Sequence, residues 1–219
     1  KICGLMAREL LRCDSPRTNT RSGCGLQIDA ATGDPVFAYK PSLAGAPCRF
    51  WLRPDALEWR TGWRHGRAAY ADIRRVRLSF AQVDLNTDRF LAEVWPASGA
   101  RVVVASTSWR SITEQETLGR AYRGFIAELH RRIVAANGCG AAFEAGLPPW
   151  RYRLGVTVLL ATSLALVGLI ARALRSGDMV GALFVAGFLA VLLWRFGTYL
   201  SRNRSGTYRP DAPPGRLMP

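Results

Sequence analysis

The chain has 219 residues, with 30 Lys and Arg against 16 Asp and Glu, a formal net charge of +14. That length supports one or two domains with a real core, and the charge excess points to anionic partners. Five scattered cysteines without a CxxC pair, and only two histidines, argue against a zinc site and a disulfide framework and fit a reducing, cytosolic setting.

Residues 1–35 have turn and loop composition, as in "CDSPRTNTRSGCG" and "DAATGDP", and are expected to form a poorly structured segment. The chain begins with Lys1, as a fragment or processed product would, and shows no signal peptide ahead of the polar region. From Val36 the texture changes. Seven short runs, "VFAYK", "CRFWLR", "ALEWRT", "RAAY", "IRRVRLSF", "RFLAEVW" and "RVVVASTS", are separated by Gly, Pro, Asn and Asp. That spacing predicts an all-β sandwich or barrel, with the last two runs as a hairpin.

The period then changes from 2 to 3.6. Leu118, Tyr122, Phe125, Leu129 and Ile133 recur at steps of three and four, flanked by Ala121, Ile126 and Val134. Ser111–Glu114 and Thr113–Glu116 both fit a capping box, and Asn137–Gly138 supplies a stop. A helix of about six turns is therefore expected to close a domain spanning 36–137. Its polar face carries Arg120, Arg123, Glu128, Arg131 and Arg132.

Seven strands followed by one amphipathic helix resemble a pleckstrin-homology-like (PH-like) domain, as does the stretch "WRHGRAAYADIRRVRL" with its aromatic, acid and apolar residues before a basic strand. The likeness is to bacterial PH-like domains. It implies an α+β fold: a seven-stranded antiparallel β-barrel or sandwich capped by a C-terminal amphipathic helix. It also implies a role in binding headgroups or proteins.

A linker, 138–150, leads to the strongest signal in the chain. Leu154–Ala171 and Met179–Trp194 carry no charge and are apolar all round. About 20 residues span the hydrocarbon core of a bilayer, so two transmembrane helices are expected within 151–200, at about 154–174 and 179–200. Trp150, Tyr152, Trp194 and Tyr199 stand where interface aromatics belong. The outer flanks carry Arg151, Arg153, Arg195, Arg202, Arg204 and Arg209, against Arg172, Arg175 and Asp178 in the turn. The positive-inside rule then places both flanks in the cytoplasm, with the protein integral to a bacterial inner (plasma) membrane. The tail, 201–219, is basic and Pro-rich and is expected to be disordered.

No GxSxG, HExxH, P-loop or GxGxxG motif occurs. His65 reads as a solvated turn residue, and His130 as boundary packing or solvent-facing on the helix. Asp84 and Asp88 supply too few oxygen ligands for a calcium loop. The expectation is a protein without catalytic residues, cofactor or metal. Between Val36 and Asn137 sixteen basic residues face nine acidic ones. A nucleic-acid surface would use such charge with interleaved tryptophans, but a membrane tether favours anionic lipid headgroups instead. Arg60, Arg64, Arg67, Arg75 and Arg77 are the candidate contacts.

The expected function is a membrane-anchored, non-enzymatic binding or scaffolding module that docks a protein or anionic headgroups. An accessory subunit of a larger membrane complex, with Gly155, Gly168, Gly181 and Gly187 allowing close helix approach, is the alternative. A membrane-bound enzyme is the third. Within "YADIRRVRLSF", strict alternation puts Arg75 and Arg77 on a wet face and Arg74 wrongly inward. A bulge near Arg74 would let Ile73 reach the core.

Overall fold

The computed structural model describes residues 27–30, 32–42, 44–82, 88–109, 115–138 and 140–219. The chain is mixed α+β and divides into two compact units. One comprises residues up to Glu144 together with Thr207–Pro219, the other Ala145–Gly206.

In the first unit, β1 (Gln27–Ile28), β2 (Pro35–Tyr39), β3 (Cys48–Leu52), β4 (Ala56–Thr61) and β5 (Arg64–Ala69) form an antiparallel sheet in sequence order. The alternation in sequence becomes alternation in burial: Phe37, Tyr39, Cys48, Phe50 and Leu52 point inward. A 3-10 turn at Tyr70–Asp72 leads into β6 (Ile73–Gln82), which pairs antiparallel with β7 (Asp88–Pro96), and β7 with β8 (Val102–Ala105). Further along, β9 (Thr107–Trp109) pairs with β10 (Gln115–Thr117). Two late strands, β11 (Ala142–Ala145) and β12 (Gly206–Thr207), complete the second sheet in the order β12-β11-β6-β7-β8.

Each of the seven runs expected to be strands overlaps one, the last overlapping both β8 and β9, but the described strands make separate sheets and no closed barrel. The break falls at Ser106. Its backbone N–H donates to the Phe90 carbonyl and its hydroxyl accepts from the Phe90 N–H, both at 2.9 Å, which ends β8. Trp109 N–H then reaches the Lys40 carbonyl at 3.1 Å, joining the chain beyond β2 to β9.

The amphipathic helix α1 (Gly119–Asn137) starts later than the capping boxes suggest. Leu118 is its N-cap and makes no side-chain cap, because Gln115–Thr117 is held in strand pairing with β9. Ser111–Glu114 lie outside the described residues. The stop at Gly138 is as expected. Its φ of 56° is left-handed, its N–H donates to the Val134 carbonyl at 2.9 Å, and the Asn137 amide ties the end to the Ile73 carbonyl at 3.0 Å. Tyr122, Phe125, Ile126, Leu129 and Ile133 form the buried face. Phe125 sits 5.4 Å from Phe37 and 6.4 Å from Phe50, centroid to centroid, so α1 covers the inner side of the first sheet.

The second unit holds two helices long and apolar enough to cross a membrane, α2 (Pro149–Arg175) and α3 (Met179–Arg202). The turn between them is short, and the Asp178 carboxylate caps α3 by accepting from Gly181 N–H at 2.9 Å. Of the four glycines considered for close helix approach, Gly155 alone faces the other helix closely: a Cβ there would stand 3.0 Å from Leu200. At the open end, Leu147 N–H donates to the Asn203 carbonyl at 3.0 Å, and the Ser205 hydroxyl donates to the Leu147 carbonyl at 2.6 Å. Gly146 has φ of 75°, and any side chain there would collide with the Asn203 carbonyl.

Three expectations for the segments outside the domain change. The segment 1–35, expected to be poorly structured, contains β1 and the first residue of β2, while its residues 1–26 lie outside the described residues. The linker 138–150 contains β11. The tail, expected to be disordered, forms β12, a bridge between Arg209 and Ala212, and a 3-10 turn at Gly215–Leu217 with Leu217 fully buried. Composition favoured disorder, but Tyr208 and Leu217 are apolar anchors with partners in the first unit.

Candidate functional site: the basic β4–β5 hairpin

Thr61 pairs with Arg64, so Gly62 and Trp63 alone make the turn between β4 and β5. A two-residue hairpin turn of matching twist needs positive φ, which Gly62 provides at 60°. Below the turn Trp59 lies opposite Gly66, and its ring fills the space that a side chain at Gly66 would need. These features fix the hairpin and leave Trp63 at its tip, fully exposed.

Two rows of side chains cross the outer face of the sheet. In one, Arg49, Arg60 and His65 are in register on β3, β4 and β5, all exposed, with Arg64 next to the turn. Among the described residues none of Arg49, Arg60 and Arg64 forms an ion pair. Like charges directly opposite each other on a sheet are destabilising, so this row carries a cost. The next row is compensated. Trp51, Glu58 and Arg67 are in register. Glu58 accepts from Arg53 at 2.8 Å, and Arg67 lies 2.7 Å from Asp55 and 3.7 Å from Glu58.

The five arginines singled out from sequence are therefore not one set. Arg60 and Arg64 stand free on the hairpin, and Arg67 is neutralised beside them. Arg75 and Arg77 lie on β6 in the other sheet and both reach Glu144 on β11, Arg75 at 3.3 Å. Their guanidinium carbons sit 5.6 and 5.1 Å from the Trp95 ring centroid. The wet face expected for this pair holds for Arg75, whose side chain is 45% exposed, but not for Arg77, which at 12% is covered in its ion pair with Glu144. The bulge near Arg74 is present. Ile73 pairs with Pro96 and Arg75 with Trp95, leaving Arg74 unmatched and Ile73 fully buried.

His65 is exposed on β5, but His130 is buried, contrary to expectation. Its Nε2 lies 3.1 Å from the Tyr208 hydroxyl, and the Phe143 ring stands edge-on at 5.2 Å. Burial pushes its pKa down to about 4, only partly offset by the Pro210 backbone. The signal was in the spacing. His130 is four residues beyond Ile126 and eight beyond Tyr122, inside the apolar stripe of α1.

An open depression of about 580 Å³ lies between the chain around Pro54–Asp55 and the end of α1. Its arginines are engaged: Arg132 donates to the carbonyls of Leu52 and Arg53 and to Glu128. Burial alone would raise the Glu128 pKa, but hydrogen bonds from Arg131 and Arg132 hold it below the usual value. Among the described residues no group of His, Cys, Asp or Glu is placed to hold a metal ion. Asp84 of the acidic loop lies outside the described residues. Compared with known proteins, the chain matches no family model, no curated sequence and no solved structure.

Proposed function

We propose that this chain is a membrane-anchored, non-enzymatic binding module whose β domain docks on anionic headgroups through the β4–β5 hairpin. The observation that carries the proposal is the uncompensated row Arg49–Arg60 with Arg64 and the fully exposed Trp63 beside it. An amphipathic indole among cations suits the interface between headgroups and water, where each nearby basic residue contributes about 1 kcal/mol.

The anchor rests on α2 and α3, whose most apolar stretches are 0% and 6% buried. Such a surface suits hydrocarbon and is ill matched to water. Arginine-rich outer flanks favour the cytoplasmic side for both ends of the pair. The PH-like reading draws support from order alone: the four-stranded meander β2–β5, the three-stranded meander β6–β8, then α1.

The full-length chain, reconstituted into nanodiscs of phosphatidylcholine with or without phosphatidylglycerol, provides the test. Amide exchange across residues 59–67 should slow only in acidic discs, and the slowing should fade as salt screens the charges. Arg60→Ala and Arg64→Ala should each reduce it by about 1 kcal/mol. Equal exchange in the two lipids would remove the docking surface. A chain that stays out of the discs would remove the anchor.

A further inference from the structure

The first unit is built from two stretches of chain separated by the whole of Ala145–Gly206. The returning stretch, 207–219, is part of the domain's interior. Tyr208 N–H donates to the Phe143 carbonyl at 3.1 Å, and its ring packs against Phe143 and His130 at 5.8 and 5.6 Å. Its hydroxyl meets His130 Nε2. The turn ending at Leu217 packs against β6 with that side chain fully buried. Pro219 lies over Gly119, where a Cβ would come within 3.0 Å of it, so the segment also crosses the start of α1. Without it, His130 and Phe143 would lose their cover.

We infer that residues 207–219 are a strap that completes the β domain only when both α2 and α3 have crossed the membrane. This rests on the membrane-anchor reading given above. The physical argument is one of parity. A chain that leaves the domain after Glu144 and returns at Thr207 must cross the bilayer an even number of times between them. Two crossings bring Tyr208 and Leu217 back to the side that holds His130 and Phe143. One crossing strands them on the far side, because a polar, arginine-bearing segment does not pass through hydrocarbon unaided. The strap thus ties the stability of the domain to correct insertion of the hairpin, and holds both flanks of the hairpin on one side.

The experiment compares three full chains in membranes: the natural sequence, a chain stopped after Gly206, and Val185→Arg with Leu189→Arg, which blocks the second crossing. All three should float with liposomes through α2; a natural chain that does not float would refute the anchor, not the strap. In the stopped and blocked chains the amides of α1 should exchange at least about tenfold faster than in the natural one. A peptide of residues 207–219 added to the domain's side should restore protection in both. Tyr208→Ala with Leu217→Ala, which leaves both crossings intact, should give an intermediate loss. Equal protection of α1 in all chains would overturn the inference. So would protease access to the natural strap from the side opposite the β domain.

Discussion

The two units use apolar residues in opposite ways. In the first, Phe37, Phe50, Phe125 and Leu129 are no more than 1% exposed. In the second, Leu164, Leu183, Phe184 and Val180 are each at least 74% exposed. Helix α1 hides its greasy face and turns Arg120, Arg123 and Arg131 outward, whereas α2 and α3 are greasy around their circumference. The difference lies both in apolar content and in how it is arranged around the helix axis. One polar stripe adapts a helix to the edge of an aqueous domain, and its absence adapts a helix to lipid.

Substitutions that reverse these environments test the contrast. The largest effect should come from Phe125→Ala, which opens a cavity where three elements meet and should cost about 3–5 kcal/mol in chemical unfolding of the first unit. A cost below about 1 kcal/mol would mean that this core is loosely packed. In the second unit Leu164→Arg touches no core, but α2 is long and apolar enough to cross a bilayer, and an arginine at the centre of a spanning helix should cost about 2.5–3.5 kcal/mol of insertion. It would be read as a smaller membrane-inserted fraction, and an unchanged fraction would argue that α2 does not span.

The more graded test is pH. Unfolded His130 takes up its proton near the ordinary 6.5, the folded one only near 4. Between those values the unfolded chain binds more protons. Stability is therefore full above about pH 6.5 and falls as pH drops toward 4, by roughly 3 kcal/mol. Glu128, held down by Arg131 and Arg132, adds its own loss only at lower pH. Denaturation midpoints of the first unit against pH should show the slope, and His130→Phe should flatten it. A natural chain already flat between pH 4 and 6.5 would mean that His130 is solvated.

What sequence reading reached, and what it missed, divides along the distance between partners. The strands were legible because alternation and turn residues are local, and the Arg74 bulge because a two-residue repeat with one extra position exposes itself. The start of α1 was not, because Gln115–Thr117 follow their partner strand instead of their capping chemistry. Arg77 looked as solvated as Arg75 because the Glu144 that covers it lies 67 residues beyond it. Arg67 could not be told from Arg60 and Arg64 without the placement of Asp55 and Glu58. The tail was the hardest segment. Tyr208 and Leu217 are isolated in polar sequence, and the His130 that Tyr208 meets stands 78 residues away.

The hydrogen bonds at the open end of the helical hairpin also bear on chain entropy. A flexible loop of about 60 residues between Glu144 and Thr207 would make the return of the strap costly, since closure entropy grows with the logarithm of loop length. Leu147, Asn203 and Ser205 bring the two ends of that stretch together. To the domain, the intervening chain then behaves as a connection of about four residues, a reduction worth roughly 2 kcal/mol. The helical unit, whatever else it does, shortens the domain's longest loop.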